Sequence, residues 1–441
     1  MYNLIKKLCS GTTPFALIQK QDSEEILVLI GEASSCRRIH DIPRRYGSSG
    51  GNRCYDTISI VPFCQIRERG YAVLDGGEEI LTIRVEQQLE VEVQEFLSSL
   101  QAEEIRLDQE ICYDSSEEDY AAIIRNIIEN EIGNGEGANF VIPRNGCGRI
   151  KDFSIAKALN VFKSLVENDY GTYWKFIFYD TTRCFIGSTP ERHLLVEGGR
   201  VKMNPISGTF RKDRIWTTRK SFKNDLLNFL RDQKEINELF MVVDEELKMM
   251  ARMCNRGGAI VGPLVKEMSR LIHSEYLLSG ESDKDIFELF QESMFAATVV
   301  GSPVENACNI IAKYSHSSRR YYGSAMMLVG RDEDGRDFLD SPITIRTVEI
   351  DTHGKLHFSV GATLVKDSLP EEEVAETKAK GAALLSTIVP DECIVVPPLL
   401  TRLYNDDDII ETLVQRNQNL SNFWFFRQEA REIAGCSGRV L

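Results

Sequence analysis

The chain has 441 residues, of which 42% are hydrophobic and 27% are charged, a composition typical of a folded globular protein and unlike that of a disordered chain. With 52 basic and 67 acidic side chains, its formal net charge is −15, so the overall field repels polyanions and excludes nucleic acid as an expected partner. No stretch reaches the apolar length of a membrane span, and the 11 cysteines lack zinc-ligand spacing. We therefore expect a cytoplasmic protein with reduced thiols and no membrane partner.

Strand-like runs characterise the N-terminal segment. The runs EILVLIG (25–31) and TISIVPF (57–63) are separated by connectors rich in glycine, serine and arginine, a pattern that predicts β-strands and turns. An acidic cluster at 115–118 then leads into the helical pattern YAAIIRNIIENEI (120–132). We predict a mostly β segment over residues 1–115.

Strands and helices mix after residue 116. Two hairpins are predicted, one turning at Gly198 and Gly199 and the other near Gly354, because glycines supply the backbone conformation that tight turns require. Hairpins with grouped helices favour an α+β fold with antiparallel strands over a parallel βαβ sheet. We assign residues 116–390 to this second unit and residues 391–441 to a linker and a C-terminal helix.

Two predicted helices each carry a pair of glutamates three residues apart. The helix KEINELFMVVDEELKMMARMC (234–254) has one apolar stripe, and Glu235 and Glu238 share a neighbouring face. The helix SLPEEEVAETKAKGAALLSTIV (368–389) begins with capping-box spacing at Ser368. One face of it holds three charged residues: Glu373, Glu376 and Lys380. Such carboxylates suit Mg²⁺, but glutamates at this spacing usually form a solvated helix face, so the pattern alone does not establish a metal site.

Six segments, in order along the chain, resemble the motifs of the chorismate-utilising enzymes, the family of anthranilate synthase component I. They are GSTPERHL (187–194), NPISGTFR (204–211), FAATVVGSPVENACNII (295–311), RRYYGSAM (319–326), ITIRTVEI (343–350) and SVGATLVKDSLPEEEVAETKAKGAAL (359–384). The resemblance covers about residues 119–390, and six ordered motifs are far more specific than one. It implies the fold of that family, with antiparallel sheets in a sandwich and helices packed outside, and a chorismate-binding catalytic domain over 116–390.

Within this family the chain resembles the 2-amino-2-deoxyisochorismate synthases of phenazine and enediyne pathways. The segments that carry this resemblance are YDTISIVPFCQIRERG, GANFVI, MNPISGT and VVDEELKMM. Anthranilate synthase large subunits are expected to have D-L-x-R-N-D where this chain has DEELKM, and their L-L-E-S segment has no evident counterpart. The implied reaction is amination of chorismate at C2 with loss of the C4 hydroxyl group. The alternative, anthranilate synthase component I, adds pyruvate elimination and stays open.

The resemblance also implies a set of site residues. Glu191 is the expected general acid at C4, and Mg²⁺ is expected on Glu235, Glu238, Glu373 and Glu376. From the residues alone, a surface ion pair between Glu191 and Arg192 is the favoured interpretation. The expected ligands of the second substrate carboxylate are Tyr322, Arg346, the amides of Gly361, Ala362 and Thr363, and Lys380. Further catalytic candidates are His273 and Thr298.

Two positions bear on the nucleophile. Water-adding members resemble one another in having a lysine base where this chain has Asn139. Asparagine cannot deprotonate water, so the resemblance favours ammonia over water as the nucleophile and disfavours an isochorismate or salicylate synthase. Aminodeoxychorismate synthases have a nucleophilic lysine where this chain has Ser207, which disfavours amination at C4. Arg211 and Lys212 are expected to be solvated. A non-catalytic relative is expected to have lost some of the five glutamates, and all are present.

Family members usually obtain ammonia from a glutaminase. The segment AGCSG (434–438) resembles a glutaminase elbow but departs from it at Ala434, and three residues follow. We therefore expect the segment from 391 to be the linker that precedes a fused glutaminase in phenazine-pathway relatives. Ammonia or a separate glutaminase subunit is the expected nitrogen source, and the oligomeric state stays open between a monomer and a homodimer.

Overall fold

A computed structural model describes residues 1–45, 51–212, 216, 218–388, 398–403 and 405–422. The helices in these residues are α1 (Tyr2–Cys9), α2 (Val93–Ser98), α3 (Glu117–Ile127), α4 (Ile155–Asn168), α5 (Arg219–Arg231), α6 (Gln233–Met253), α7 (Ile286–Ser293), α8 (Ala297–Val300), α9 (Val304–Tyr314), α10 (Pro370–Ile388) and α11 (Asp407–Asn422). The first nine strands are β1 (Phe15–Lys20), β2 (Glu25–Cys36), β3 (Cys54–Val61), β4 (Ile80–Glu92), β5 (Leu107–Tyr113), β6 (Asn139–Ile150), β7 (Trp174–Tyr179), β8 (Arg183–Thr189) and β9 (Arg192–Glu197). The others are β10 (Arg200–Met203), β11 (Ile206–Arg211), β12 (Arg256–Glu267), β13 (Leu271–Glu281), β14 (Gly301–Ser302), β15 (Ala325–Arg331), β16 (Asp337–Pro342), β17 (Thr347–Asp351) and β18 (Lys355–Leu364).

The strands form two antiparallel layers joined through β2 and β4. One layer has the order β6-β18-β17-β8-β7-β1-β2, and the other continues as β4-β3-β15-β16-β9-β10-β13. The β2–β4 register shifts at Gly31. A Cβ atom at Gly31 would lie 1.8 Å from the carbonyl oxygen of Arg84, so this junction requires glycine. The predicted α+β fold with antiparallel sheets is confirmed.

Aromatic side chains fill the space between the layers, because alternate residues of each strand point inward. The largest of these include Trp174, Phe176, Phe178 and Phe185. A second apolar cluster lies on the outer face of one layer, where helices α3, α6, α7, α8 and α9 pack. A third cluster lies on the outer face of the other layer, where α4 packs. The core therefore fixes α6 and α10 against the strands that carry the site.

Several local predictions are confirmed. Gly198 and Gly199 have φ angles of 59° and 78° in the β9–β10 turn, and Gly354 has a φ of 76° in the β17–β18 turn. The hydroxyl oxygen of Ser116 accepts a hydrogen bond from the amide of Asp119 and caps α3. Strands from both sides of residue 115 pair with each other, as in β1–β7 and β3–β15, and the boundary there stays a prediction.

Two helix starts differ from those predicted. Helix α10 begins at Pro370, and the Ser368 hydroxyl donates to Oε1 of Glu373 at 2.6 Å. Helix α11 begins at Asp407, inside the segment predicted as a linker, because Asp406 accepts a hydrogen bond from the amide of Ile409 and forms an ion pair with Lys223. The predicted helix beyond 422 and the AGCSG segment lie outside the described residues.

The described chain contains no helix with the length and apolar character needed to cross a membrane. Its nine cysteines are free thiols.

Candidate active site

The predicted site residues come from α6, α8, α10, β6, β11, β13, β18 and the loops before β9, β15 and β17. Direct contacts join several of these elements. Ser207 on β11 donates from its hydroxyl group to Oε1 of Glu238 on α6 at 2.7 Å, and Nζ of Lys234 on α6 lies 3.4 Å from Oε1 of Glu373 on α10. The two glutamate-bearing helices therefore face one another beside β11.

The four glutamates form an electrostatically strained group. Burial, with the nearby charge of Glu238, raises the pKa of Glu235 to about 7. Burial also raises the pKa values of Glu238 and Glu373, and Glu376 adds to both effects. Burial alone would raise the pKa of Glu376 too, but the Lys380 ammonium group outweighs it and the pKa is lowered. An additional cation would relieve this repulsion.

The donor atoms fit a divalent cation with waters in its shell. Atom Oε2 of Glu235 is buried and has no hydrogen-bond partner in the described chain, and carboxylate oxygens are the ligands that Mg²⁺ prefers. Two lysines now neutralise part of the group, because Lys380 contacts Glu376 at 2.6 Å and Lys234 contacts Glu373. Within the described residues, no three of the four carboxylates have ligand atoms all within 4.8 Å of one another, so water-mediated contacts would be needed.

Glu191 lies between β8 and β9 and is 2% exposed. Its Oε1 accepts hydrogen bonds from Oγ1 of Thr298 at 2.8 Å and from the amide of Ile206 at 3.3 Å. Burial raises the pKa of Glu191 to about 8, against the opposing effect of these hydrogen bonds. The carboxyl group is therefore mostly protonated at neutral pH and can act as an acid.

The alternative interpretation of Glu191 as a surface ion pair with Arg192 is wrong. Arg192 donates from Nη1 to Oδ1 of Asn204 at 2.7 Å and lies 4.7 Å from the ring centroid of Tyr173. The cations that act on Glu191 are instead Lys266 and Arg346.

His273 links a backbone turn to Arg346. Its Nδ1 lies 2.6 Å from the carbonyl oxygen of Gly208, and its Nε2 lies 3.0 Å from Nη2 of Arg346. Since a guanidinium group only donates, Nε2 must accept and Nδ1 must carry the proton. Burial and the charge of Arg346 lower the pKa of His273 to about 3. This histidine is thus a neutral support for Arg346 at working pH.

Arg346 has a positive φ of 51° in the loop before β17, a conformation that costs energy for a residue with a side chain. Burial lowers its pKa. Its Nη1 lies 3.3 Å from Sδ of Met268, and no carboxylate of the described chain is hydrogen-bonded to it. The guanidinium group is consequently able to bind an anionic ligand.

The remaining carboxylate-binding candidates cluster around β18. The Lys380 ammonium group donates to the carbonyl oxygen of Gly361 at 2.8 Å, and burial raises the pKa of Tyr322. The Ala362 amide is hydrogen-bonded to the hydroxyl group of Tyr120. Thr363 is half-buried opposite Val141 of β6. The roles of these residues stay predictions.

Asn139 is the first residue of β6, opposite Ser302 of β14. Its side chain is completely buried, with 0% exposure, yet neither Oδ1 nor Nδ2 has a hydrogen-bond partner in the described chain. A buried amide without partners costs free energy. Such a group is poised to bind a small polar molecule.

The structure adds residues that the sequence reasoning missed. Lys212 was expected to be solvated but is 4% exposed, because its Nζ contacts Oε1 of Glu267 at 2.7 Å; Arg211 is exposed as expected. Glu246 on α6 is 1% exposed. It stands three residues after Val243 and four before Met250, both on the apolar stripe, so helical spacing could have revealed its burial.

Comparison with known proteins establishes the family. A family model described as chorismate binding enzyme matches residues 71–386, and the chain belongs to this family. It is 40% identical over 95% of its length to "Anthranilate synthase, phenazine specific" of Pseudomonas fluorescens, covering 64% of that protein. The protein of the same name from Pseudomonas chlororaphis is 40% identical over 97% of the chain, which covers 66% of it. The chain thus spans about two thirds of the length of these relatives.

Solved structures support the fold at low sequence identity. MenF, the menaquinone-specific isochorismate synthase from Escherichia coli, matches with a TM-score of 0.66 at 16% identity, over 87% of this chain and 90% of that one. Anthranilate synthase component I from Streptococcus pneumoniae TIGR4 matches with a TM-score of 0.65 at 15% identity, over 84% of this chain and 89% of that one. The predicted family fold is confirmed.

Proposed function

We propose that the protein catalyses amination of chorismate at C2 with loss of the C4 hydroxyl group, giving 2-amino-2-deoxyisochorismate for secondary metabolism. The observation that carries this proposal is the completely buried side chain of Asn139, whose amide atoms have no partner in the described chain. Ammonia can bind by donating to Oδ1, which leaves its single lone pair free to attack C2. Neutral ammonia needs no base before it attacks, whereas water does.

The step balances with residues of this chain. Ammonia forms the C2–N bond, the ring double bonds shift, and the C4–O bond breaks. Glu191 gives its proton to the departing oxygen, which leaves as water, and the added nitrogen releases one proton to solvent. The raised pKa of Glu191 supports this role, because hydroxide is a poor leaving group without a proton.

We propose that Arg346 binds a substrate carboxylate and that Tyr322 and Lys380 lie beside it. The neutral imidazole of His273 holds the guanidinium group in place. We further propose that Glu235, Glu238, Glu373 and Glu376 hold Mg²⁺, partly through water. When bound, Mg²⁺ would orient the other carboxylate of chorismate and offset the negative charge of the site.

Ser207 supports amination at C2 over C4. Its hydroxyl group is committed to Glu238 at 2.7 Å, and serine has no amine that could deliver nitrogen to C4. The second candidate function is that of anthranilate synthase component I, which the names of the Pseudomonas relatives favour. The two functions differ only in whether pyruvate is eliminated after amination.

The test is a mass-resolved product assay with chorismate, Mg²⁺ and an ammonium salt, with anthranilate fluorescence followed in parallel. A product that retains nitrogen and the enolpyruvyl group supports the proposal. Anthranilate with pyruvate supports the second candidate instead. Isochorismate without nitrogen would contradict both.

A substitution at Asn139 tests whether its buried side chain binds ammonia. Asn139→Leu keeps the branching and the number of heavy atoms of the side chain but removes its hydrogen-bonding atoms. We expect a KM for ammonia raised roughly 10-fold or more, with the KM for chorismate little changed. The variant should also be at least as stable as wild type, because two unsatisfied buried atoms are removed. An unchanged KM for ammonia would show that Asn139 does not bind the nucleophile.

We also propose that the ammonia comes from a glutaminase partner. Free ammonia is mostly protonated to ammonium at neutral pH, and ammonium is not nucleophilic. Direct delivery from a glutaminase would avoid this protonation. The experiment is co-purification with a candidate glutaminase, followed by glutamine-dependent turnover of the pair. Absence of both binding and glutamine-dependent turnover would argue for free ammonia as the substrate.

A further inference from the structure

Glu246 is a buried acid that the reaction described above does not use. It lies two turns beyond Glu238 on α6 and is 1% exposed. Its Oε1 has no hydrogen-bond partner in the described chain, and its carboxyl group accepts a hydrogen bond from the amide of Ala297. A buried acid with one satisfied and one free oxygen has no evident structural purpose.

Glu246 and Glu191 meet at the same short segment. Glu246 is bound to the amide of Ala297, and Glu191 is bound to the hydroxyl group of the next residue, Thr298. Both carboxyl groups are almost fully buried. Two acids that approach one another in a buried site cannot both be ionised, so they share protons between them.

The charged groups around the pair differ for the two acids. Lys266 and Arg346 act on Glu191, whereas the groups that act on Glu246 are Glu191 and Glu245. Burial and these negative neighbours raise the pKa of Glu246 well above its ordinary value. Glu191, which has cations nearby, therefore ionises first, and Glu246 is the acid that keeps its proton.

We propose that Glu246 acts through Glu191 as a positioning residue that restores the proton spent on the leaving hydroxyl group in each turnover. The inference rests on the proposed function. After water leaves, Glu191 is a carboxylate; the proton of Glu246 moves to it as a solvent proton arrives at Glu246, so the weaker acid is never left ionised and the net change is one proton taken up by Glu191. The free Oε1 of Glu246 would be satisfied by one water that bridges the two carboxyl groups. Protons are conserved, since the added nitrogen releases one to solvent.

The experiment compares the first turnover with later ones. In Glu246→Gln the side chain keeps its shape and stays neutral but has no proton to give. We expect rapid-quench kinetics to show a first turnover within about 2-fold of wild type and a steady-state rate roughly 10- to 100-fold lower. Glu246→Asp, which keeps an acid, should recover part of the steady-state rate.

The matched control is Glu245→Gln on the same helix. Glu245 accepts a hydrogen bond from the amide of Val304 and lies near Lys248. Any effect of Glu245→Gln should therefore be the same on the first turnover as on the later turnovers. Equal slowing of both phases in Glu246→Gln would overturn the relay and assign Glu246 a structural role. A steady-state rate equal to wild type would overturn the proposal completely.

A measurement without turnover separates this inference from the proposed function. Infrared titration of wild type and Glu246→Gln should show one buried protonated carboxyl group fewer in the variant near neutral pH. In Glu191→Gln, Glu246 should ionise at lower pH than in wild type, because the charge of Glu191 no longer opposes it. Failure of chorismate conversion by wild type would refute the function, whereas unchanged infrared titrations would refute the pairing of the two acids.

Discussion

Gly361 leaves no space for a side chain beside the hydroxyl group of Tyr322. A Cβ atom at position 361 would lie 2.7 Å from that oxygen, closer than such atoms approach one another in folded proteins. The position of Tyr322 therefore depends on the absence of a side chain on β18.

The first prediction follows from this contact. Gly361→Ala should push the Tyr322 hydroxyl group away from the proposed carboxylate site and lower kcat/KM for chorismate roughly 10- to 100-fold. Steady-state kinetics would measure the effect. Gly258→Ala is the control, because nothing lies within 4 Å of a Cβ there, and it should behave as wild type. Equal kinetics for the two variants would remove Tyr322 from the site.

The second prediction concerns the pH dependence of activity. Glu191 must be protonated to act as an acid, and its pKa is raised to about 8, so the protonated fraction falls as the pH rises through that value. At a fixed concentration of neutral ammonia and saturating Mg²⁺, kcat/KM should be constant below this pH and decline above it, about 10-fold per pH unit. A rate that keeps rising above pH 9 would exclude Glu191 as the acid.

The third prediction concerns stability. The native protein binds a proton at Glu191 that the unfolded chain releases near its ordinary pKa of 4.5, so this residue lowers the free energy of unfolding as the pH rises from about 4.5 to 8. Glu191→Gln should be inactive but more stable than wild type by about 2–5 kcal/mol at pH 8. Thermal or denaturant unfolding at pH 8 and at pH 5 would test it, since the gain should vanish at pH 5.

The fourth prediction tests whether His273 holds Arg346 in place or transfers protons. The pKa of this residue is lowered to about 3, so it stays neutral in the working range. His273→Ala should raise the KM for chorismate roughly 10- to 100-fold through loss of a hydrogen bond to Arg346, and the pH profile should keep its shape. A displaced pH profile in the variant would instead give His273 a proton-transfer role.

The fifth prediction concerns the metal. Mg²⁺ should raise the unfolding free energy of wild type by about 2.7 kcal/mol at 100 times its Kd, and a chelator should abolish turnover. Glu376→Gln should lose both responses. Glu372→Gln, at an exposed position of the same helix, should keep them. Calorimetric titration and thermal melts would measure the effects, and metal-independent turnover would contradict the proposed site.

Local patterns predicted much of the fold, because hairpin turns and helix stripes depend on neighbouring residues. The glycines at 198, 199 and 354 and the apolar spacing of α6 are examples. Burial by residues that are distant in the sequence was harder to predict. Lys212 looks like a solvated cation in sequence, yet Glu267, more than 50 residues away, buries it. The pairing of Glu246 with Glu191 likewise depends on how α6 packs against the segment before β14.

The register between β6 and β18 has a consequence for evolution of the site. Asn139 begins β6, and Pro143, four residues later, pairs with Gly361 of β18. At about 3.3 Å per residue, the two positions lie roughly 13 Å apart along one strand. Inserting or deleting one residue between them would turn Asn139 to the opposite face of the sheet. Under the roles proposed for these positions, substitution at 139 can change the nucleophile, but a change in the length of this stretch would separate the proposed ammonia site from the proposed substrate site.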